Sequence, residues 1–140
     1  MNPKIVILYP SIAMALLTLG LLLAMGLRRF LAIQARAVSI KYYRIYTEGS
    51  EPDAMRRHSR HVQNHFEVPP LFHLALFGIY MAGEVTTATL AAAWLFVATR
   101  CLHAVIHLGY NNVSHRFLVF GLGVFTVVFL WVKLLASVVA

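Results

Sequence analysis

The sequence is poor in charge, and in negative charge above all. Only 12% of its 140 residues are charged, and Asp and Glu together number five. A soluble domain of this length needs far more charge to cover its surface, so the composition excludes a soluble globular protein. Cys101 is the single cysteine, which excludes an intramolecular disulfide.

Long apolar runs take the place of the missing charge. Hydrophobic residues make up 60% of the chain, and the mean hydropathy is +0.74. A helix needs about 20 apolar residues to cross the hydrocarbon core of a bilayer. We therefore predict one all-α domain over residues 1–140, an integral membrane four-helix up-down bundle, because short connections force antiparallel neighbours. The predicted spans are 5–27, 68–82 as the membrane part of a longer helix, 88–108 and 117–139.

Positive charge is concentrated between the first two predicted spans. Eight of the twelve Lys and Arg residues lie between Arg28 and Arg60. Because basic loops stay on the cytoplasmic side, we expect segment 28–66 in the cytoplasm and both termini outside it. A basic segment flanked by apolar spans is juxtamembrane, so we predict no nucleic-acid partner. The first apolar run is too long for a signal peptide and is interpreted as a span.

The long segment contains one predicted break between helices. This is Thr47–Asp53, within which Ser50 and Asp53 resemble a capping box. We expect the next helix to run from near this break through Ala82. Pro69 and the proline after it would kink that helix, because each removes a backbone donor and clashes with the preceding turn.

Polar and ionisable side chains recur at helical spacing in the second and third predicted helices. They are Arg57, Arg60, Asn64 and Glu67 on the second, Arg100, His103 and His107 on the third, and Arg116 opening the fourth. Such groups are costly in lipid and usually face a bundle interior. A single pair between Glu67 and an arginine would simply pin the helices together. The excess of cations favours a pocket for a polar anion, since guanidinium groups suit carboxylates.

Histidines add two pairs at i, i+4 spacing: His61 with His65, and His103 with His107. Each pair has the spacing to offer two imidazoles to one metal ion. No cysteine pair or further carboxylate cluster accompanies them. We therefore predict no metal site and interpret these residues as hydrogen-bonding groups in the bundle interior.

Two of these motifs resemble signatures of the MAPEG family, the membrane-associated proteins in eicosanoid and glutathione metabolism. The helix-two signature is Arg57-x-x-Arg60-x-x-x-Asn64-x-x-Glu67 followed by Pro69, and the helix-three motif is Ala98-Thr99-Arg100-x-x-His103. Arg116 falls where several members place an arginine opening helix four. The resemblance covers essentially the whole chain. The run Asn64–Leu71 looks most like the uncharacterised bacterial branch, which implies a bacterial inner membrane.

The resemblance implies a homotrimer that binds glutathione as co-substrate between adjacent subunits. The residues implied to bind it are Arg60, Asn64, Glu67, Arg100, His103, His107 and Arg36. Arg116 is the implied catalytic residue, since a guanidinium beside a thiol lowers its pKa from about 8.5. The resulting thiolate would attack a hydrophobic small molecule that enters from the membrane lipids.

Three positions depart from the family pattern. His107 and Phe120 stand where relatives have tyrosine, and Gln63 stands where one prostaglandin-forming relative has arginine. Two functions therefore remain open. The resemblance favours a glutathione-dependent transferase or peroxidase acting on hydrophobic electrophiles. The departure at His107 favours a non-catalytic membrane protein that binds a lipid or quinone, or an accessory subunit of a larger membrane complex.

Overall fold

The computed structural model describes residues 3–46 and 49–139, so Thr47 and Glu48 of the predicted break lie outside it. All regular structure in these described residues is helical, which confirms the predicted all-α class. A 3-10 turn, Pro3–Ile7, leads into the α-helices. These are α1 (Leu8–Gln34), α2 (Tyr42–Ile45), α3 (Asp53–Asn64), α4 (Pro69–Ala82), α5 (Thr87–Leu108) and α6 (Val113–Val139).

Three helical segments within the described residues are long and apolar enough to cross a membrane. They are Lys4–Gln34, Thr87–Leu108 and Val113–Val139. Helix α4 has 14 residues, which gives about 21 Å of helix at about 1.5 Å per residue. That is shorter than the hydrocarbon core, which is about 30 Å thick. The three long helices are those of a membrane protein, and α4 does not meet the same criterion of length.

Helices α3 and α4 are separate, where the sequence predicted one longer, kinked helix. α3 ends at Asn64, and α4 begins at Pro69 after a turn over residues 65–68. The two prolines stop the helix because they lack an amide hydrogen and clash with the turn before them. At the start of α4 the missing donors cost nothing, since the first amides of a helix have no partner inside it. Glu67 consequently leaves the helical face that carries Asn64.

The capping box predicted at the start of α3 is wrong. The N-cap of α3 is Pro52, at φ −52° and ψ 144°, and no side chain caps it. Because Pro52 is extended, the helix begins after it, and Ser50 lies too early to cap. A capping box occurs instead at α5, where the Thr86 side chain accepts from the Thr89 amide at 3.2 Å and the Thr89 hydroxyl accepts from the Thr86 amide at 2.9 Å.

The apolar core and the polar side chains occupy different ends of the bundle. Phe72 of α4 stacks on Phe96 of α5 with ring centroids 4.3 Å apart. Ile7, Met14 and Leu130 are fully buried beside them. These residues come from the 3-10 turn, the first half of α1, the first half of α4, the first half of α5 and the second half of α6. The antiparallel run of α5 and α6 leaves their other halves at the polar end.

The linker after α1 is held to the bundle through Glu51, whose side chain is buried. Arg29 of α1 pairs with this carboxylate at 3.5 Å, and the Tyr43 hydroxyl donates to it at 3.3 Å. Burial first, and then the Glu51 charge, raise the pKa of Tyr43, which keeps this hydroxyl protonated as a donor. No pattern in the sequence indicates that one acidic residue of the predicted break is buried.

Candidate anion-binding site

Helices α3, α5 and α6 enclose a pocket of about 200 Å³ at the polar end of the bundle. The residues that line it are Asn64, His103, Val113, Arg116, Phe117 and Phe120. Asn64 is the last residue of α3, and Arg116 lies in the first turn of α6. The antiparallel connection between α5 and α6 brings Arg116 beside His103, although 13 positions separate them in the sequence. The pocket therefore combines a guanidinium, an amide and an imidazole.

Arg116 is oriented by the short connection between α5 and α6. Its Nη1 donates to Asn111 Oδ1 at 2.9 Å, and Asn111 has the left-handed conformation, with φ at 54°. The buried Nε of Arg116 has no hydrogen-bond partner among the described residues. The guanidinium is thus fixed on one side and has a donor left for a ligand.

Arg100 is a second cation behind this pocket, and it is only 1% exposed. Its guanidinium carbon lies 4.7 Å from the ring centroid of Phe96 and 4.8 Å from that of Phe120. Its Nε and Nη2 have no hydrogen-bond partner within the described part of the chain. A buried charge without a counter-ion is strongly unfavourable. A polar or anionic group outside the described residues would offset this cost.

Four buried histidines form one cluster beside the two arginines. The ring of His61 lies 4.9 Å from His65, 5.3 Å from His103 and 5.1 Å from His107, measured between centroids. Neither nitrogen of His61 has a hydrogen-bond partner in the described residues. Burial, and then the nearby His65, lower the pKa of His61 to about 3. His61 is therefore neutral at physiological pH and presents polar nitrogens without adding charge.

The predicted site residues fall into three groups. Asn64, His103 and Arg116 line the pocket together, with Arg100 directly behind it. His107 lies in the histidine cluster, and the charges of Arg116, Arg57 and Arg60 act on it. Arg60 and Glu67 are exposed, and Glu67 forms no ion pair with any described residue. Arg36 is exposed after the end of α1, with φ at 55°, and is not part of the lining.

The described residues contain no group of three His, Cys, Asp or Glu side chains placed to hold a metal ion. The two i, i+4 histidine pairs predicted from spacing meet in one cluster because α3 packs against α5. Spacing along each helix indicates the pairs, but only tertiary packing brings the pairs together.

Two features of the site have little signal in the sequence. Phe120 lines the pocket and lies against Arg100; the sequence marks it as a departure from the family pattern but does not indicate its contact with Arg100. Gly123 is needed for the position of Arg100, since a β-carbon there would lie 2.8 Å from Arg100 Nη2. Gly121 and Gly123 in the sequence of α6 would permit close helix approach, but they do not identify the side chain that approaches.

The fold and the site together define a helical membrane protein with a cationic pocket beside a histidine cluster at one end of its bundle. A profile of the MAPEG family matches residues 7–136 of the 140-residue chain. The chain therefore belongs to the MAPEG family. Searches of curated proteins and of solved structures return no significant match.

Proposed function

We propose that the protein is a glutathione-dependent transferase or peroxidase that acts on hydrophobic electrophiles. The observation that carries this proposal is the excess of buried positive charge. Arg100 and Arg116 both have buried nitrogen atoms without a hydrogen-bond partner among the described residues. The ion pairs among the described residues are Arg29 with Glu51 and Arg56 with Asp53, so no described carboxylate pairs with Arg100 or Arg116. Glutathione supplies two carboxylates and a thiol to such a site.

In this proposal Asn64 and the arginines contact different groups of glutathione. Arg60 is exposed beside the pocket, close enough for its charge to act on Arg116, and is suited to a glutathione carboxylate that arrives from solvent. Asn64 offers an amide that can donate and accept. His103 forms the inner wall, with Arg100 behind it. The exposed Glu67 would pair with the glutathione amino group.

The proposed chemistry needs only one cation near the thiol. Arg116 stabilises the thiolate over the thiol, so the proton leaves to solvent and the sulfur keeps its electron pair. That pair forms the new bond to the electrophilic carbon, while the bond to the leaving group breaks and the leaving group departs with its electrons. No redox partner is required for this transfer. In the peroxidase form, the hydroperoxide itself is the oxidant and two glutathione molecules are oxidised.

An apolar groove supports a hydrophobic second substrate. It has a volume of about 470 Å³ and lies between the start of α4 and the middle of α6. Its lining includes Val68, Leu71, Val124 and Trp131. Val124 lies one helical turn after Phe120, which lines the polar pocket. A hydrophobic molecule in the groove would thus have its reactive end directed along α6 towards Arg116.

The proposal includes α4 as a fourth span, a homotrimeric assembly and termini outside the cytoplasm. One face of α4 is buried in the core, whereas Leu74, Phe77 and Met81 on its other face are each more than half exposed. An exposed apolar face between long apolar helices is suited to lipid or to a second subunit. The trimer and the position of glutathione between subunits are inferred from membership of the family.

A second candidate function is binding of a lipid or quinone without catalysis. Two observations favour it: the groove is almost wholly apolar, and His107 is packed 5.1 Å from His61 instead of supplying a hydroxyl. In this case the apolar groove would be occupied and the polar pocket would bind only a headgroup or water.

The deciding experiment measures thiolate formation on the protein. Purified protein in detergent is mixed with glutathione at neutral pH, and the ultraviolet absorbance of the thiolate is followed. We expect a thiolate signal that falls about tenfold or more in Arg116→Gln, since a neighbouring positive charge shifts a pKa by about 1–3 units. Conjugation of a generic aromatic electrophile should fall in parallel. Arg28→Gln, an exposed arginine on α1, is the control. An Arg116→Gln variant with unchanged thiolate and unchanged conjugation would favour the non-catalytic function.

A further inference from the structure

The linker segment 35–46 folds back to the level at which the first membrane helix ends. The apolar run of α1 stops at Arg28 and Arg29, which mark the boundary of the hydrocarbon core. The guanidinium carbon of Arg29 lies 5.1 Å from the ring centroid of Tyr43. Although Tyr43 follows Arg29 by 14 positions, it therefore lies at the depth of the lipid headgroups.

One side of this segment is anchored to the bundle and the other is open. Val38 is 5% exposed, and the Tyr43 hydroxyl is bonded to Glu51. On the open side Ile40 is 70% exposed and Ile45 is 61% exposed. Branched apolar side chains are unfavourable in water, but they are stabilised when they enter the boundary between headgroups and acyl chains.

Aromatic packing makes the segment a fixed surface rather than a loose loop. The ring of Tyr42 lies edge-to-face against Tyr43 at 5.2 Å and against Tyr46 at 5.5 Å. Tyrosine is enriched at membrane–water interfaces because its ring is apolar and its hydroxyl is polar. The three rings thus present an amphipathic surface of the kind found at this depth.

The same segment is strongly basic. Arg36, Lys41 and Arg44 are exposed, and residues 35–46 contain no acidic residue. Glu51, the next described acidic residue along the sequence, is buried and paired with Arg29. The ion pairs of the described residues do not include these three cations. Each basic residue near a membrane surface strengthens attraction to anionic lipids.

We propose that residues 35–46 form an interfacial anchor that binds the headgroups of anionic phospholipids in the leaflet where α1 ends. Ile40 and Ile45 enter the acyl boundary, while Lys41 and Arg44 contact the phosphates. This combination of an apolar and a basic signal gives stable attachment where either alone is weak. The anchor does not depend on glutathione binding, so its test is independent of the test of the proposed function.

The first test measures lipid selectivity. The protein is reconstituted in nanodiscs of phosphatidylcholine with or without phosphatidylglycerol, and retained lipids are counted by native mass spectrometry after detergent release. The wild type should retain phosphatidylglycerol preferentially. Lys41→Gln/Arg44→Gln should weaken that retention roughly 30-fold, from two cations at their usual contribution, and added salt should reduce the difference. Lys133→Gln, in the second half of α6 and away from the polar end of the bundle, should leave the retention of phosphatidylglycerol unchanged.

The second test measures depth directly. Ile45→Cys in a Cys101→Ser background carries a nitroxide label, and its relaxation by oxygen is compared with relaxation by a water-soluble reagent. Preferential relaxation by oxygen in anionic bilayers supports the anchor. Preferential relaxation by the aqueous reagent overturns it. The proposal is also overturned if the wild type retains both lipids equally. It is overturned likewise if Lys41→Gln/Arg44→Gln loses an acidic partner protein and no lipid.

Discussion

Replacing Gly123 with alanine should disturb the buried Arg100 without altering any residue that lines the pocket. A β-carbon at this position of α6 would lie 2.8 Å from Arg100 Nη2 and 2.8 Å from Thr99 Oγ1. Neither neighbour can move easily. The Arg100 guanidinium is held between two phenyl rings, and the Thr99 hydroxyl donates to the Phe96 carbonyl at 2.6 Å. The added methyl group therefore overpacks the contact between α5 and α6.

Gly121 provides a matched control two positions earlier on the same helix. A β-carbon built on Gly121 has nothing within 4 Å, so Gly121→Ala adds helix propensity alone, about 1 kcal/mol. Gly123→Ala has the same gain, but it also has an overpacking cost of about 1–3 kcal/mol. We expect Gly123→Ala to be less stable than Gly121→Ala by that cost, measured as the midpoint of thermal unfolding in detergent.

Glutathione affinity is the second readout for this pair of variants. Because Arg100 lies directly behind the pocket, its displacement in Gly123→Ala should weaken binding, whereas Gly121→Ala should bind as the wild type does. Equal unfolding midpoints and equal affinities in the two variants would refute the argument, since Arg100 would then not be fixed by its packing against Gly123.

Two other predictions concern stability. Glu51→Gln removes the charge that pairs with Arg29 and should lower the free energy of unfolding by about 1–3 kcal/mol, measured by chemical denaturation, while the exposed Glu84→Gln should not. Burial holds the pKa of His61 near 3, below about 6.5 in the unfolded chain. Below about pH 6.5, the unfolded pKa, the unfolded chain therefore binds a proton that the folded chain does not. The free energy of unfolding decreases as the pH is lowered from this value to the folded pKa. The unfolding midpoint should drop by several degrees between about pH 7 and pH 5, and by less in His61→Phe; equal drops would contradict the assignment.

The apolar runs were enough to predict the helical class and the three long helices, because burial in lipid demands long, uncharged segments. The same patterns were insufficient at α3 and α4. Spacing placed Glu67 on the face of Asn64 only if the helix continued. Whether two prolines kink or stop a helix depends on the packing around them, and here the chain turns before Pro69.

The sequence predicted which site residues share a face of the same helix, but not which residues of different helices are in contact. Spacing brought Arg100 and His103 onto one face of α5, and Arg116 to the start of α6. It could not show that Phe96 and Phe120 enclose Arg100, because those contacts join different helices. The burial of Glu51 was unpredictable for the same reason, since its partner Arg29 lies 22 positions earlier in the sequence.

Calorimetric titration of glutathione into the purified protein tests the central claim, that the pocket of Asn64, His103 and Arg116 binds this anion. We expect saturable binding in the micromolar to millimolar range, at least tenfold weaker in Arg116→Gln and unchanged in Lys133→Gln. Absence of binding to the folded wild type, or the same affinity in Arg116→Gln, would contradict it.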